Sequence, residues 1–259
     1  MRDTIHIRAS LAVLLIDDFT GKIITSPSLR VSVRGGGKPV RKMEGFWVFT
    51  GLTAPEAEVT VDGPCYYSER QSVAMLELDS ANPVIRIRLR PDRTYKLPKG
   101  TICMTVVLPK NASVMVFNEQ GNEYKRLLID YEKGSGQISL YQGEREELEG
   151  KICCIADKRS VKEFIRLGKL VDRESGQYLL ARPPKDGYKK IGTRVYPVSY
   201  MRARDAGEYF LPLPSGRQEA EYTCIFELDG KREEQKIVMK EGWVNRIRWG
   251  DPDGRQIKG

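Results

Sequence analysis

The residues that could carry acid–base or nucleophilic chemistry are few in this sequence. His6 is the single histidine of the 259 residues, and there is no P-loop, dinucleotide fingerprint or zinc-protease motif. A serine or cysteine nucleophile needs a base beside it, and histidine is the most frequent base, so such a pair would have to form around the amino terminus. We therefore interpret His6 as a surface histidine. We expect a protein that is not an enzyme and that binds no cofactor and no metal.

Paired carboxylates occur at Asp17 and Asp18, and such a pair could supply glycosidase acids or calcium ligands. Neighbouring side chains of a strand point to opposite faces, however, and an aspartate at a turn commonly accepts hydrogen bonds from nearby backbone N–H groups. The favoured interpretation is therefore a turn. Three glycines precede Lys38, as in a phosphate-binding loop, but a strand pattern follows instead of a helix, which indicates a hairpin loop.

The five cysteines are odd in number and show no CxxC spacing. Adjacent Cys153 and Cys154 point to opposite faces of a strand and cannot easily share one tetrahedral metal site, so buried free thiols in a reducing compartment are predicted. The amino terminus has no apolar segment or cleavage site of a secretory signal, and no stretch reaches the roughly 20 apolar residues of a membrane helix. We expect cytoplasmic synthesis, or a place in an assembled particle, and no membrane partner.

Positive charge is concentrated in one part of the chain, although the net charge is only +8. Residues 158–204 hold 13 basic and four acidic side chains, and residues 182–204 hold seven basic side chains, one acid and three tyrosines. Tyrosine and arginine dominate interface energetics, so a protein interface and an ordinary solvated hairpin both remain open. Nucleic acid is disfavoured because no RNP, KH or helix-turn-helix pattern is present. The candidate partner-binding residues are Arg182, Lys185, Tyr188, Lys189, Lys190, Arg194, Tyr196, Tyr200, Arg202 and Arg204.

Strands must position these side chains, because period-two alternation dominates the sequence. Residues 28–34 and 84–90 each place apolar side chains on one face and polar or basic ones on the other, as in half-buried antiparallel strands. Short strands separated by turn signals indicate a sandwich or barrel. Residues 160–167 fit either a helix or a strand. An outward basic row, which either keeps the sheets soluble or forms a second binding surface, comprises Arg86, Arg88, Arg90, Arg246 and Arg248.

Four blocks of the sequence recur in the same order, which indicates a β-domain used twice. Residues 15–21, 45–52, 57–58 and 84–89 match residues 170–176, 207–214, 220–221 and 244–249. This pattern predicts an all-β chain in four parts. They are a β-sandwich domain at residues 1–92, a β-hairpin middle segment at 93–149, a second β-sandwich domain at 150–250 and a polar tail at 251–259.

The first domain resembles the transthyretin-like β-sandwich family, also called carboxypeptidase-regulatory-like, prealbumin-like or CnaB-like. The motifs that carry the resemblance are an apolar strand ending in Asp and Thr-Gly, two Val-x-Val strands and a strand with Gly and aromatic residues, at residues 15–21, 31–33, 59–61 and 45–52. A looser match in the second half runs through Asp172, residues 175–176, residues 207–210 and residues 222–226. The resemblance implies two tandem transthyretin-like sandwiches with a small β-rich segment between them.

The family also implies tests of function. Cross-linked members place a lysine on the first strand, but residues 11–18 contain none and Lys169 only precedes the corresponding strand of the second copy, so no isopeptide bond is expected. Hydrolytic members need several histidines, which this chain lacks. Phage tails and contractile-injection-like particles use such modules, which implies a structural or adaptor component that binds other proteins, with homo-oligomerisation left open. The alternative is a carbohydrate-binding module with a row of exposed rings, drawn from Trp47, Tyr66, Tyr67, Trp243 and Trp249.

Overall fold

Alternating apolar and polar side chains form strands through most of the chain. A computed structural model describes residues 9–121, 123–141, 148–158, 162–213, 218–250 and 255–258. These residues form β-strands and one 3-10 turn at Met75–Glu77, and no α-helix occurs among them, which confirms the all-β class. Within the same ranges, no helix has the length and apolar character needed to cross a membrane. The chain divides into two compact units, Met1–Tyr95 and Lys96–Gly259.

Unit 1 contains two sheets. One has the strand order β3-β4-β1-β7 and the other the order β2-β5-β6. The central strand β1 runs antiparallel to β4 and parallel to β7. The strands are β1 (Ala9–Asp17), β2 (Arg30–Val33), β3 (Val40–Arg41), β4 (Phe46–Thr50), β5 (Glu56–Asp62), β6 (Glu69–Ala74) and β7 (Val84–Leu89).

The inward faces of both sheets in unit 1 bury one apolar cluster, as expected of a sandwich. Period two decides which residues are inside: Leu11, Val13 and Leu15 of β1 point into the cluster. The other sheet contributes Val31, Val33, Val59 and Val61, and β7 contributes Ile85, Ile87 and Leu89.

Unit 2 contains three sheets, with the orders β16-β8-β19-β20, β15-β9-β17-β18 and β10-β13-β12-β11-β14. Its strands are β8 (Ile102–Leu108), β9 (Ser113–Phe117), β10 (Gln137–Ser139), β11 (Ile152–Ala156), β12 (Lys162–Asp172), β13 (Gln177–Leu180), β14 (Arg194–Pro197), β15 (Ser199–Arg202), β16 (Gly207–Leu213), β17 (Glu219–Leu228), β18 (Lys231–Lys240), β19 (Trp243–Arg248) and β20 (Arg255–Lys258).

The strand pairing of unit 1 recurs in unit 2. Strand β8 runs antiparallel to β16 and parallel to β19, as β1 does to β4 and β7, and β9-β17-β18 follows the order of β2-β5-β6. Three of the four sequence blocks therefore occupy matching strands. The match of residues 170–176 to residues 15–21 is wrong, because residues 170–172 belong to β12, which pairs antiparallel with β11 and β13.

The five-stranded sheet is inserted between β9 and β15. One of its faces buries a cluster that includes Cys153, Ile165 and Tyr178. The other face packs through Cys154 and Tyr196 against Met115, Phe117 and Ile225 of the adjacent sheet. The two neighbouring thiols lie on opposite faces of β11, as the sequence predicts. The five cysteines Cys65, Cys103, Cys153, Cys154 and Cys224 are free, and the last three are buried.

Several segments differ from the sequence-based expectation. Residues 162–167 adopt the strand alternative, within β12. Within the predicted β-hairpin middle segment, residues 125–131 form isolated bridges at Lys125, Leu127 and Tyr131 and no continuous strand. Strands β8 and β9 pair with strands of the 150–250 region, and residues 255–258 pair with β19 instead of continuing as a tail without periodicity. His6 lies outside the described residues.

Candidate basic surface of unit 2

The ten candidate partner-binding residues all lie in unit 2, in the loop between β13 and β14, on β14 and β15 themselves, and just after β15. Strand β14 is the last strand of the inserted sheet, and β15 is the first strand of the adjacent sheet. The seven basic side chains, Arg182, Lys185, Lys189, Lys190, Arg194, Arg202 and Arg204, are exposed. Charged side chains on edge strands also oppose unwanted strand pairing.

The three tyrosines of this stretch serve packing. Tyr188 is 1% exposed and belongs to the core on one face of the inserted sheet, and Tyr196 is 6% exposed and belongs to the core on the other face. Tyr200 is half-buried against the same second core. The rings of Tyr188 and Tyr196, which the sequence interpretation assigned to a partner, are therefore covered by this protein. Partner binding by the basic residues stays a prediction.

Two carboxylates hold the loop between β13 and β14, residues 181–193, in place; we call it the basic loop. Glu163 of β12 accepts hydrogen bonds from the backbone N–H of Lys185 at 2.7 Å, from the backbone N–H of Asp186 at 3.0 Å and from the hydroxyl of Tyr188 at 2.9 Å. Desolvation alone would raise the pKa of Glu163, but these hydrogen bonds outweigh it and lower that pKa. Asp130 binds Nζ of Lys189 at 2.9 Å and the backbone N–H of Lys190 at 2.7 Å.

The loop also exposes an apolar side chain that the sequence interpretation missed. Ile191 is 85% exposed between Lys190 and Gly192. Its signal in the sequence is weak, because an isoleucine beside glycine and lysine in a turn has no periodic pattern to mark its face. Interfaces between proteins commonly have an apolar centre and a polar rim, and an exposed isoleucine next to two lysines is compatible with that pattern.

An open cleft with a volume of about 440 Å³ adjoins β15, on the face of the β15-β9-β17-β18 sheet that also packs against the inserted sheet. The pairing of the four strands aligns Arg202, Ser113, Glu227 and Arg232 in one row, since each is opposite the next. The Asp229-Gly230 turn of the β17–β18 hairpin, with positive φ at both residues, closes one end. The lining residues are Asn111, Ser113, Tyr200, Arg202, Glu227, Leu228, Asp229, Gly230 and Arg232.

A polar network fastens the inserted sheet to its neighbour. Lys162 of β12 contacts Glu119 at 2.6 Å and Glu234 of β18 at 3.3 Å, and the Thr223 hydroxyl of β17 donates to Glu119 at 2.7 Å. Desolvation opposes the charge on Glu119, but the bonds from Lys162 and Thr223 outweigh it and lower the pKa of Glu119. The basic stretch is therefore carried by a sheet that is fixed by both apolar packing and ion pairs.

The carboxylate pair of unit 1 is structural. Asp17 is 4% exposed, and its Oδ1 accepts the backbone N–H groups of Phe19 and Thr20 at 2.9 Å each. Its Oδ2 accepts the hydroxyls of Tyr66 at 2.8 Å and Tyr95 at 2.6 Å. Burial and the neighbouring carboxylate raise the pKa of both phenols, so they remain donors. The turn interpretation of Asp17 is confirmed, and Asp18 pairs with Arg88 at 3.5 Å.

The outward arginine row is partly neutralised by acids of the same units. Arg90 pairs with Glu69 at 2.5 Å in unit 1, and Arg246 pairs with Glu208 in unit 2. Since these arginines have partners on the sheet, the solubilising interpretation of the row fits the contacts better than a second basic surface does.

The rings named for a carbohydrate platform are half-buried. Trp47 packs against the core of unit 1 beneath Arg41, whose guanidinium lies 5.3 Å from the ring centroid. Trp249 makes an edge contact with Phe226, and Lys240 lies over Trp243. Tyr66 is bound to Asp17, and Tyr67 is half-buried as well. This arrangement is not an exposed coplanar row, so it does not favour the carbohydrate alternative.

Within the described ranges, no group of three or more His, Cys, Asp or Glu side chains could hold a metal ion. No protein-family model matches the chain, and a search of curated proteins finds no match.

Proposed function

We propose that this protein is a non-enzymatic structural or adaptor component of a multi-protein assembly. In this proposal its units are transthyretin-like modules of a phage-tail-like or contractile-injection-like particle, and the basic surface of unit 2 contacts a neighbouring protein. The observation that carries the proposal is the way the exposed basic loop is presented. Tyr188 anchors the loop in one core, Tyr196 anchors the following strand in the other, and Glu163 and Asp130 hold the backbone of the loop. Lys185, Lys190 and Ile191 therefore face solvent from a fixed support.

A preformed loop favours protein association on energetic grounds. Ordering a loop during binding costs free energy, and a loop that is already held by hydrogen bonds avoids much of that cost. Interface centres are enriched in aromatic and apolar residues and in arginine, and charged rims steer the approach of an oppositely charged partner. The expected partner therefore presents an acidic face with an apolar recess for Ile191.

The experiment is reciprocal capture from the native source, followed by size-exclusion chromatography with light scattering. The full chain is compared with a Lys185→Glu, Lys190→Glu, Ile191→Asp triple variant. The proposal predicts a stoichiometric complex with a defined partner for the natural chain and at least about a tenfold loss of that complex for the variant, which corresponds to about 1.4 kcal/mol.

The matched control is Lys38→Glu with Lys42→Glu, which reverses two exposed charges in unit 1. The control should retain the complex. A natural chain that elutes as a monomer without a protein partner, or a complex that the triple variant preserves, would contradict the proposal.

A further inference from the structure

Two arginines face each other across a short antiparallel bridge in unit 2. Lys125 and Val195 exchange backbone hydrogen bonds at 2.8 and 2.9 Å. In an antiparallel pair of this kind, the next residues on either side are opposite each other with their side chains close together. The register therefore sets Arg126 opposite Arg194 and Tyr124 opposite Tyr196, and the rings of the two tyrosines lie 6.1 Å apart.

Both guanidinium groups converge on one phenol ring. Cζ of Arg194 lies 4.6 Å from the ring centroid of Tyr124, and Cζ of Arg126 lies 5.7 Å from it. An Nη atom of Arg126 also donates a hydrogen bond to the Tyr124 hydroxyl at 3.3 Å. These cations lower the pKa of Tyr124. Among the described residues, no carboxylate forms an ion pair with either arginine.

Like charges directly opposite each other across an antiparallel pair are destabilising. Stacking on an aromatic face offsets part of this repulsion and fixes the plane of each guanidinium. The N–H groups at the edges of the two guanidinium planes can then bind a ligand. Tyr196 supports the cluster from below, because its ring is 6% exposed and packed against Phe117. The arrangement is a fixed pair of planar donors whose charge meets no carboxylate in an ion pair within the part of the chain that the structure describes.

We propose that Arg126 and Arg194 form a clamp for carboxylate side chains in an acidic segment of a partner protein. This inference rests on the proposed function, because it names the chemistry that the basic surface recognises, and it adds Arg126 to the residues that sequence reasoning selected. Bidentate hydrogen bonds from guanidinium to carboxylate are short and charge-assisted. Nucleic acid fits less well, since single strands need exposed rings for stacking, whereas Tyr188 and Tyr196 are buried and Tyr124 is covered by arginine.

The test measures binding of a fluorescein-labelled hexaglutamate peptide to the full chain by fluorescence anisotropy at low salt. The Arg126→Gln, Arg194→Gln double variant should bind at least about tenfold more weakly. The matched control, Arg34→Gln with Arg70→Gln, removes the same number of exposed guanidinium groups from unit 1 and should change the Kd less than about twofold. Arg194→Lys, which keeps the charge but not the planar donor, should lose most of the affinity.

Three outcomes would overturn the clamp: no binding of the peptide by the natural chain, equal weakening in the control, or tighter binding of a labelled oligothymidylate at the same salt. Melting curves separate a folding defect from lost binding, because removal of two like charges should leave the melting temperature unchanged or raise it. The two proposals also fail separately. A native complex that survives the double variant refutes the clamp alone, and peptide binding without any native complex refutes the assembly function alone.

Discussion

The phenolic hydroxyl of Tyr95 donates a hydrogen bond to Oδ2 of Asp17 at 2.6 Å, and the two residues are 78 positions apart in the chain. The same oxygen accepts the hydroxyl of Tyr66, whose ring meets that of Tyr95 edge-on at 5.6 Å. The segment after β7 is thereby fastened to the end of β1. This contact explains why unit 1 extends to Tyr95, three residues beyond the boundary predicted at residue 92.

Replacement of Tyr95 by phenylalanine should destabilise unit 1. The substitution removes one donor from a buried carboxylate and keeps the ring, so the expected loss is about 1.5–3 kcal/mol in the free energy of unfolding. Urea denaturation followed by tryptophan fluorescence measures it. Tyr141→Phe, at an exposed position of unit 2, is the matched control and should stay within about 0.5 kcal/mol of the natural chain. Equal stability of Tyr95→Phe would mean that the hydrogen bond contributes nothing net.

Two aspartates make the same local turn in different surroundings, and their alanine variants should differ. Asp172 accepts the backbone N–H groups of Glu174 and Ser175, as Asp17 accepts those of Phe19 and Thr20, but Asp172 is exposed. We expect Asp172→Ala to cost about 1 kcal/mol and Asp17→Ala at least about 3 kcal/mol, because only Asp17→Ala also leaves two partly buried tyrosine hydroxyls without an acceptor. Equal losses measured by chemical denaturation would refute the distinction.

This shared turn explains why residues 15–21 were wrongly matched to residues 170–176. An Asp followed three residues later by Thr or Ser and then Gly satisfies a local turn, and such a turn can end any strand. The true counterpart of β1 is β8, which carries no such turn signature, because Leu108 is followed by Pro109 and Lys110. Strand pairing depends on residues distant in sequence, and the sheet inserted between β9 and β15 separates β8 and β9 from the strands with which they pair in unit 2. The fold class followed from period-two alternation and three of the matched blocks followed from recurring sequence, whereas the insertion followed from neither.

The sequence predicted which side chains of the candidate surface are charged, but not which of its tyrosine rings are buried. Residue types alone show that residues 182–204 are basic and rich in tyrosine, and the lysines and arginines are indeed exposed. Whether a tyrosine ring is covered depends on which sheet lies over it, and Tyr188 and Tyr196 face two different cores. Arg126 escaped notice because it lies outside the basic stretch, and only the Lys125–Val195 bridge brings it opposite Arg194.

Acid should destabilise unit 2 partly through Glu163. Its pKa is lowered in the folded state by hydrogen bonds from the loop, so the stability it contributes is present above its unfolded pKa of about 4.3 and is lost as pH falls through the lower folded value. Glu163→Gln should therefore lower the melting temperature at pH 7 and show a smaller drop between pH 7 and pH 3. Glu174→Gln, which removes an exposed carboxylate, should keep the natural profile. An unchanged profile for Glu163→Gln would contradict the assignment.

The buried thiols should resist alkylation in the folded protein. Burial raises the pKa of Cys154 and of Cys224 to about 12, and the thiolate is the reactive form. Treatment with iodoacetamide at pH 8, followed by peptide mass spectrometry, should label half-buried Cys65 first. Cys154 and Cys224 should react only after urea unfolds the chain. Labelling of Cys154 at the rate of Cys65 in native buffer would show that the packing between the inserted sheet and its neighbour opens readily.

Gly176 should be far less tolerant of alanine than Gly134, although both have positive φ in the same part of unit 2. A Cβ at Gly176 would overlap the backbone oxygen of Leu140, whereas a Cβ at Gly134 would meet nothing within 4 Å. The left-handed conformation alone costs about 1–2 kcal/mol for alanine, which is the loss expected for Gly134→Ala. Gly176→Ala must also displace the bridge at Leu140, whose N–H donates to the Gly176 carbonyl at 3.0 Å, and should lose about 3–4 kcal/mol in total. Chemical denaturation of the two variants measures the difference. If they lose the same free energy, the turn between β12 and β13 relieves the overlap with Leu140 without cost, which would contradict the prediction.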